Sequence, residues 1–275
     1  MRISTYTNAL TQEQKVSAAF SAQSAMFDNI DAKNIIIQWM RKKIREHVLE
    51  LWKPGDTILE LNAGTGTDTI FFAQKGFKLY ATDNSPGMLN VLNKKIAELS
   101  LRDTVSTQLC SFSGLNQIER GGFDHIFSNF GGLNCTDKLD RVINSFYRLL
   151  KPGGTATLVL MPKICIWELM LTLKGNFKVG FRRLKKDGTP SHLEGEHFMT
   201  YYYSPPAVRK MFGNAYSKIS IKGLGISVPP PYLNNFPIKY PYIYKVLLSI
   251  ENSIEDVPLL RSSGDHFILS VRKNG

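Results

Sequence analysis

Two features at the front of the chain have the residue types and spacing to hold a nucleoside. The first is Asn62-x-Gly64-x-Gly66, between the apolar run Thr57 to Leu61 and a helix-like run that opens at Asp68. Glycine has no β-carbon, so a glycine turn at a strand-to-helix junction lets the backbone come close to a ligand. The second is Asp83, about twenty positions on, at the end of the next apolar run, where a ribose diol needs an acceptor. Each is weak alone; the ordered pair is informative.

Acid–base chemistry points further along the chain. His192 and His197 flank Leu193-Glu194-Gly195-Glu196, in a region placed to cap a pocket, which makes both candidate bases. His197, with Tyr201 on the same side of an extended segment, is the first choice; the alternative is a surface hairpin with polar side chains. His192, Glu194, Glu196 and His197 lack the helical His-Glu-x-x-His spacing, so no metal site is expected. His266 opens a closing strand on the far side of the topology and reads as structural. His47 and His125 have no chemical context.

The elements that must position these groups alternate over residues 54 to 161. Strands are predicted at 57–61, 77–82, 104–109, 123–129 and 155–161, with helices between them from Asp68, Pro86 and Thr136. Such alternation builds a doubly wound parallel sheet covered on both faces. Residues 12 to 50 read as helical, with Phe27, Ile36, Trp39 and Met40 available for an apolar face that could cover the pocket. The expected organisation is an N-terminal helical cap (1–50), a core (51–162), and a lid or substrate insert with the closing strands of the same sheet (163–275).

At these motifs the sequence resembles the class I S-adenosylmethionine-dependent methyltransferases. The match is carried by ILELNAGTG at residues 58–66, by Asp83-Asn84-Ser85-Pro86-Gly87-Met88-Leu89, by FDHIFSNFGGLN at 123–134, and by Leu150-Lys151-Pro152-Gly153-Gly154. The resemblance implies a mostly parallel seven-stranded, Rossmann-like sheet, S-adenosylmethionine as cofactor and S-adenosylhomocysteine as product. By the same resemblance, Glu60 orients the methionine ammonium and the backbone at Ala63, Gly64 and Gly66 passes beneath the cofactor. Asp83 holds the ribose hydroxyls, with Asn84 beside it and Met88 against adenine. The family's usual glycine is Asn62 here, and its aspartate after the third strand is replaced by Cys110-Ser111-Phe112. Ser111 is expected to accept from the adenine amino group and Phe112 to stack on the ring. Asn129 and Phe130, after the fourth strand, complete the candidate wall.

Composition narrows the setting. The first twenty residues lack the apolar core of a secretion signal, and the run from Thr155 to Leu173 is broken by Pro162, Lys163 and Glu168, so a cytoplasmic protein is expected. Cys110, Cys135 and Cys165 show no paired spacing. The charge is uneven: residues 1–162 hold 18 Lys/Arg against 15 Asp/Glu, and residues 163–275 hold 16 against 8. Lys174, Lys178, Arg182, Arg183, Lys185 and Lys186, mixed with Trp167, Leu173 and Phe177, suggest a lid over an apolar substrate, with peripheral membrane contact open beside ordinary packing on the sheet.

The expected function is methyl transfer to a small apolar or aromatic metabolite, with oxygen as the expected acceptor. Carbon or nitrogen acceptors, RNA methylation and a non-catalytic cofactor-binding subunit are the alternatives. No RNA-binding module accompanies the core, which disfavours nucleic acid. Thr69, where a dinucleotide fingerprint wants a third small residue, argues against a nicotinamide enzyme.

Overall fold

The computed structural model of the chain describes residues 10–275; residues 1–9 of the expected cap and of the leader reading lie outside the described residues. Five parallel strands form the front of the sheet: β1 (Thr57–Leu61), β2 (Lys78–Asp83), β3 (Val105–Leu109), β4 (Phe123–Ser128) and β5 (Leu150–Leu160). A hairpin, β6 (Thr189–Leu193) with β7 (Glu196–Thr200), stands apart as a second sheet. β8 (Tyr216–Leu224) and β9 (His266–Lys273) close the main sheet, whose order is β3-β2-β1-β4-β5-β9-β8. β9 runs antiparallel to both β5 and β8. This is the doubly wound, mostly parallel seven-stranded sheet of the class I methyltransferase fold.

The central strands are continuous apolar runs because helices cover both faces. On one face lie α2 (Ile35–Leu49), α3 (Thr67–Gln74) and α4 (Pro86–Glu98), while α1 (Gln12–Lys33) packs against α4 and the hairpin strand β7. The core there includes Ile36, Met40 and Ile44 of α2, packed with Phe72 and Phe127. On the other face α5 (Leu139–Leu149) buries Val142, Ile143 and Phe146 against Ile126 and Leu158. The insert after β5 holds α6 (Ile166–Met170), α7 (Phe177–Gly180), the hairpin and α8 (Pro205–Met211). Between β8 and β9 lie α9 (Phe236–Lys239) and α10 (Pro241–Ile254).

Two departures have local causes. The helix expected from Thr136 begins at Leu139, because Thr136 is extended and its hydroxyl accepts from the Lys138 N–H (3.1 Å) ahead of the first turn. β8 has no counterpart in the sequence reading. Its register shifts between Lys218 and Ser220, so Tyr216 and Ile221 are both buried although they have opposite parity. A bulge of this kind erases the alternation by which a strand is recognised.

α1 is the roof of the site. Thr11 and Gln14 form a capping box at its start, and Asn34 ends it while capping α2 through the Ile36 and Ile37 N–H groups. Ser17 donates to the Asn84 carbonyl (2.7 Å), and the Ser21 and Ser85 hydroxyls are 2.8 Å apart, which fixes α1 over the loop after β2. Gln12 pairs with Met199 of β7 in both directions, donating at 2.7 Å and accepting at 3.0 Å.

Candidate functional site

The carboxyl ends of β1, β2 and β4 meet beneath α1, at the sheet edge where ligands of open α/β folds sit. A cavity of about 670 Å3, counting its open mouth, lies there. Of the expected residues, Asn62, Gly64, Asp83, Asn84, Met88, Phe112, Asn129 and Phe130 line it. Val16, Phe20 and Phe27 of α1 form the roof.

The glycine turn is shaped for a ligand. Gly64 has φ +59, and a β-carbon there would project into open space with no protein atom within 4 Å. Asp83 accepts from the Gly64 N–H (2.8 Å) through one oxygen and from the Ser85 N–H (2.8 Å) through the other. Each carboxylate oxygen has capacity for a further donor, and Asp83 lines the cavity. Burial raises the Asp83 pKa, and the backbone donors partly offset that.

Asn62 replaces glycine at a backbone position with φ 47, a region that asparagine tolerates better than most residues. Its Nδ2 donates to Ser128 Oγ (2.8 Å), and its Oδ1 is buried with no partner among the described residues. A β-carbon on Gly132 would lie 2.4 Å from Asn62 Nδ2, so the asparagine in this position requires glycine at 132. An unpartnered buried acceptor, a carboxylate with spare lone pairs and an open glycine shelf fit the polar edge of an adenosyl group.

Other expected residues lie elsewhere. Glu60 does not face the cavity; it is buried under the turn and accepts from the Thr69 hydroxyl (2.6 Å). Burial, then the neighbouring Asp68, pushes its pKa up to about 8. Ala63 and Gly66 shape the turn from behind, Gly66 as the left-handed cap of α3. The Asn84 amide is occupied by the Glu13 carbonyl (2.9 Å). Ser111 is a correction: its hydroxyl caps the following turn through Ser113 N–H (3.2 Å), off the cavity wall, where Cys110 lies instead.

The histidine pair is a second correction. His192 and His197 face each other across the hairpin, with ring centroids 4.6 Å apart, on its exposed side. The face turned toward the cavity roof carries Phe198, 6.2 Å from Phe20, because strand residues alternate sides. Tyr201 is anchored by its backbone to Asn134 and lies against Gly188, away from the cavity wall.

The missed residues are His266 and a buried network under Phe130. β9 is antiparallel, and Phe267 pairs with Leu160 at the carboxyl end of β5, so His266 opens at the ligand edge and not on the far side. Its ring meets Phe130 edge-on at 6.0 Å. His266 Nδ1 is 2.9 Å from Asp265 Oδ2, and Asp265 Oδ1 accepts from Arg183 Nη2 (2.7 Å). Burial opposes the charge on Asp265, but His266 and Arg183 outweigh it and hold the carboxyl well below its ordinary range. His266 Nε2 has no hydrogen-bond partner among the described residues. On the other side of Phe130, Arg41 lies over the ring at 4.6 Å. Arg41 bridges Asp31 (2.7 Å) and Asp68, and Asp68 also accepts from Arg45 (2.8 Å) and from Asn129 Nδ2 (2.7 Å).

The sheet order, the glycine turn at β1 and the buried carboxylate at β2 define a class I S-adenosylmethionine-dependent methyltransferase core, and S-adenosylmethionine is its cofactor. Residues 58–154 match the family described as Methyltransferase domain. The chain is 32% identical over 134 residues to a demethylmenaquinone methyltransferase of Symbiobacterium thermophilum, covering 46% of this chain and 52% of that one. It is 26% identical over 158 residues to a ubiquinone/menaquinone biosynthesis C-methyltransferase of Hydrogenovibrio crunogenus, covering 55% and 61%. The chain thus spans about half to three fifths of the length of these relatives. Among solved structures, the cyclase SpnF matches with a TM-score of 0.62 at 14% identity, over 97% of each chain, a likeness of fold.

Proposed function

We propose that the protein transfers the methyl group of S-adenosylmethionine to carbon of a small aromatic acceptor bearing a ring hydroxyl. The observation that carries this is the Asp265–His266 pair at the mouth of the sheet, against Phe130 of the cofactor cavity. When bound, the cofactor supplies a methyl carbon on a positively charged sulfur. The protein then has to align an electron-rich acceptor and keep water out.

In this reading Asp83 and the Gly64 turn grip the ribose, Met88 and Phe112 enclose adenine, and Asn62 Oδ1 takes a donor from the ligand. Phe130 forms the wall between cofactor and acceptor. His266 Nε2 removes the proton of the ring hydroxyl, and Asp265 stabilises the imidazolium, itself held by Arg183. Loss of that proton makes both the oxygen and its ortho carbon nucleophilic. When carbon takes the methyl group, the ring regains aromaticity by losing the ortho C–H proton to water, and His266 returns the first proton to the oxygen. Oxygen was the expectation from residue types; carbon is preferred because the second relative is named a C-methyltransferase.

Incubation with isotopically labelled S-adenosylmethionine and a panel of hydroxylated aromatics, with products assigned by NMR, tests the proposal. A new C–CH3 signal supports it, and an O–CH3 product returns the reaction to oxygen. Cofactor binding without transfer to any acceptor or cell extract leaves a non-catalytic binding subunit.

A further inference from the structure

The insert and the segment before β9 expose large apolar side chains that the methyl-transfer reading does not use. Leu173 is 87% exposed and Phe177 61%, on the lid; Ile238 is 70% and Tyr242 83%, on α9 and α10. Ile243, Val246 and Ile250 continue α10's outward stripe at i, i+3 and i+7. The two segments adjoin: the Trp167 ring of α6 meets Phe236 of α9 at 5.8 Å, and its Nε1 donates to the Ser227 carbonyl (3.1 Å). Large apolar side chains exposed together in this way mark a place where something docks.

The charges around it identify the partner. Residues 163–186 contain one acid, Glu168, with the exposed Asp187 following Lys186, and residues 197–250 contain none. Glu168 is buried, taking both Arg182 (2.7 Å) and Arg183 (2.7 Å), so it shows no negative charge outside. Lys174, Lys178, Lys185, Lys186, Lys239 and Lys245 are exposed on these segments. The lysines that pair with acids among the described residues lie elsewhere, at Lys42, Lys43, Lys95, Lys151 and Lys222. No helix among the described residues is long and apolar enough to cross a membrane.

We infer that this face lies on the surface of an anionic lipid bilayer, with Leu173, Phe177, Ile238 and Tyr242 entering the interface and the lysines meeting the headgroups. Protruding aliphatic and aromatic side chains ringed by unpaired lysines suit a layer that is apolar within and anionic at its surface. A second copy of the chain would bring the same positive face and be repelled. Nucleic acid would use the lysines but leave the aliphatic tips in water. The lid so held is tied to the methyl-transfer site by Arg183, which bonds Glu168 on α6 and Asp265 beside His266. Docking itself does not depend on the chemistry assigned to that site.

Cosedimentation of the full chain with phosphatidylcholine vesicles, with and without phosphatidylglycerol, reads the inference without any activity assay. Binding to the anionic vesicles and little to the neutral ones is expected, weakening by about fivefold per lysine reversed at Lys174→Glu and Lys178→Glu. Leu173→Ser with Phe177→Ser, which leaves the charge unchanged, is expected to lower it by roughly tenfold or more, and Lys94→Glu, a charge change on α4 equal to that of either lysine reversal, to leave it nearly unchanged. Failure to bind anionic vesicles overturns the inference. So does indifference to the Leu173 and Phe177 changes, since charge alone would then explain the binding, as would an equal loss in Lys94→Glu. Sedimentation velocity showing a dimer that Phe177→Glu dissociates would assign the face to a second copy instead.

Discussion

The cofactor edge and the proposed acceptor edge of the sheet are built by opposite means. Around the cofactor, Asn62, Gly64 and Asp83 come from one strand-turn-helix-strand passage, and backbone N–H groups do much of the work. Around the proposed acceptor position, Glu168 and Arg183 meet Asp265 and His266, with Arg183 and Asp265 82 residues apart, and side-chain charges do the work. A backbone cradle persists through much change in side chains. A charge relay of four buried groups fails when one partner is lost, because the others are left unpaired in a low-dielectric site.

The sharpest break in that comparison is at His266. His266→Gln is expected to lower turnover on the order of 10³-fold, about 4 kcal/mol of barrier, with cofactor affinity unchanged. His192→Ala and His197→Ala, on the exposed hairpin face, are expected to leave turnover within twofold. Rate measurements beside calorimetric titration of the cofactor separate the two sets. Equal losses at His197 and His266 would remove the assignment.

Arg183→Ala comes next, at about 3 kcal/mol of stability, at the lower end for a broken buried pair because Arg182 remains on Glu168. Denaturant melts read it. A companion change, Arg183→Ala with Glu168→Ala, is expected to recover part of the loss, which additive effects of unlinked sites would not produce. On the cofactor edge, Asp83→Ala is expected to raise the cofactor Kd roughly 100-fold through the lost ribose acceptor and the freed Gly64 and Ser85 N–H groups. Asp83→Asn, which keeps an acceptor, should fall between. Neither is expected to alter the acceptor side.

The same contrast explains what the sequence disclosed. The five parallel strands, the turn at Gly64 and the carboxylate at Asp83 were legible because their signals are short-range: apolar runs, a glycine pair, and one acid at a fixed offset. The antiparallel return of β9 was not, and with it the position of His266, since strand direction is settled by pairing with β5 across more than a hundred residues. His192 and His197 misled because adjacency in sequence was read as convergence in space. The hairpin does bring them together, but on the side away from the roof. Arg41, Asp68 and Asn129 carry no spacing signal at all; helix packing alone joins them.

Glu60 gives the smallest effect and the finest test of the cofactor edge. Its carboxyl ionises from about 4.5 in an unfolded chain but only near about 8 in the folded one, so the folded state holds the extra proton between those values. By linkage the apo protein is then most stable at the acid end of that window and loses stability as pH rises through it, the reverse of a salt-bridged carboxylate. Glu60→Gln is expected to flatten that slope in thermal melts. If the cofactor's ammonium comes to rest near Glu60, its charge lowers the carboxyl's pKa, and binding near neutral pH releases a fraction of a proton. Calorimetry of cofactor binding in buffers of different ionisation enthalpy measures that release. Its loss in Glu60→Gln would place the methionine end of the ligand over the turn, whereas an unchanged release would assign the proton to another group.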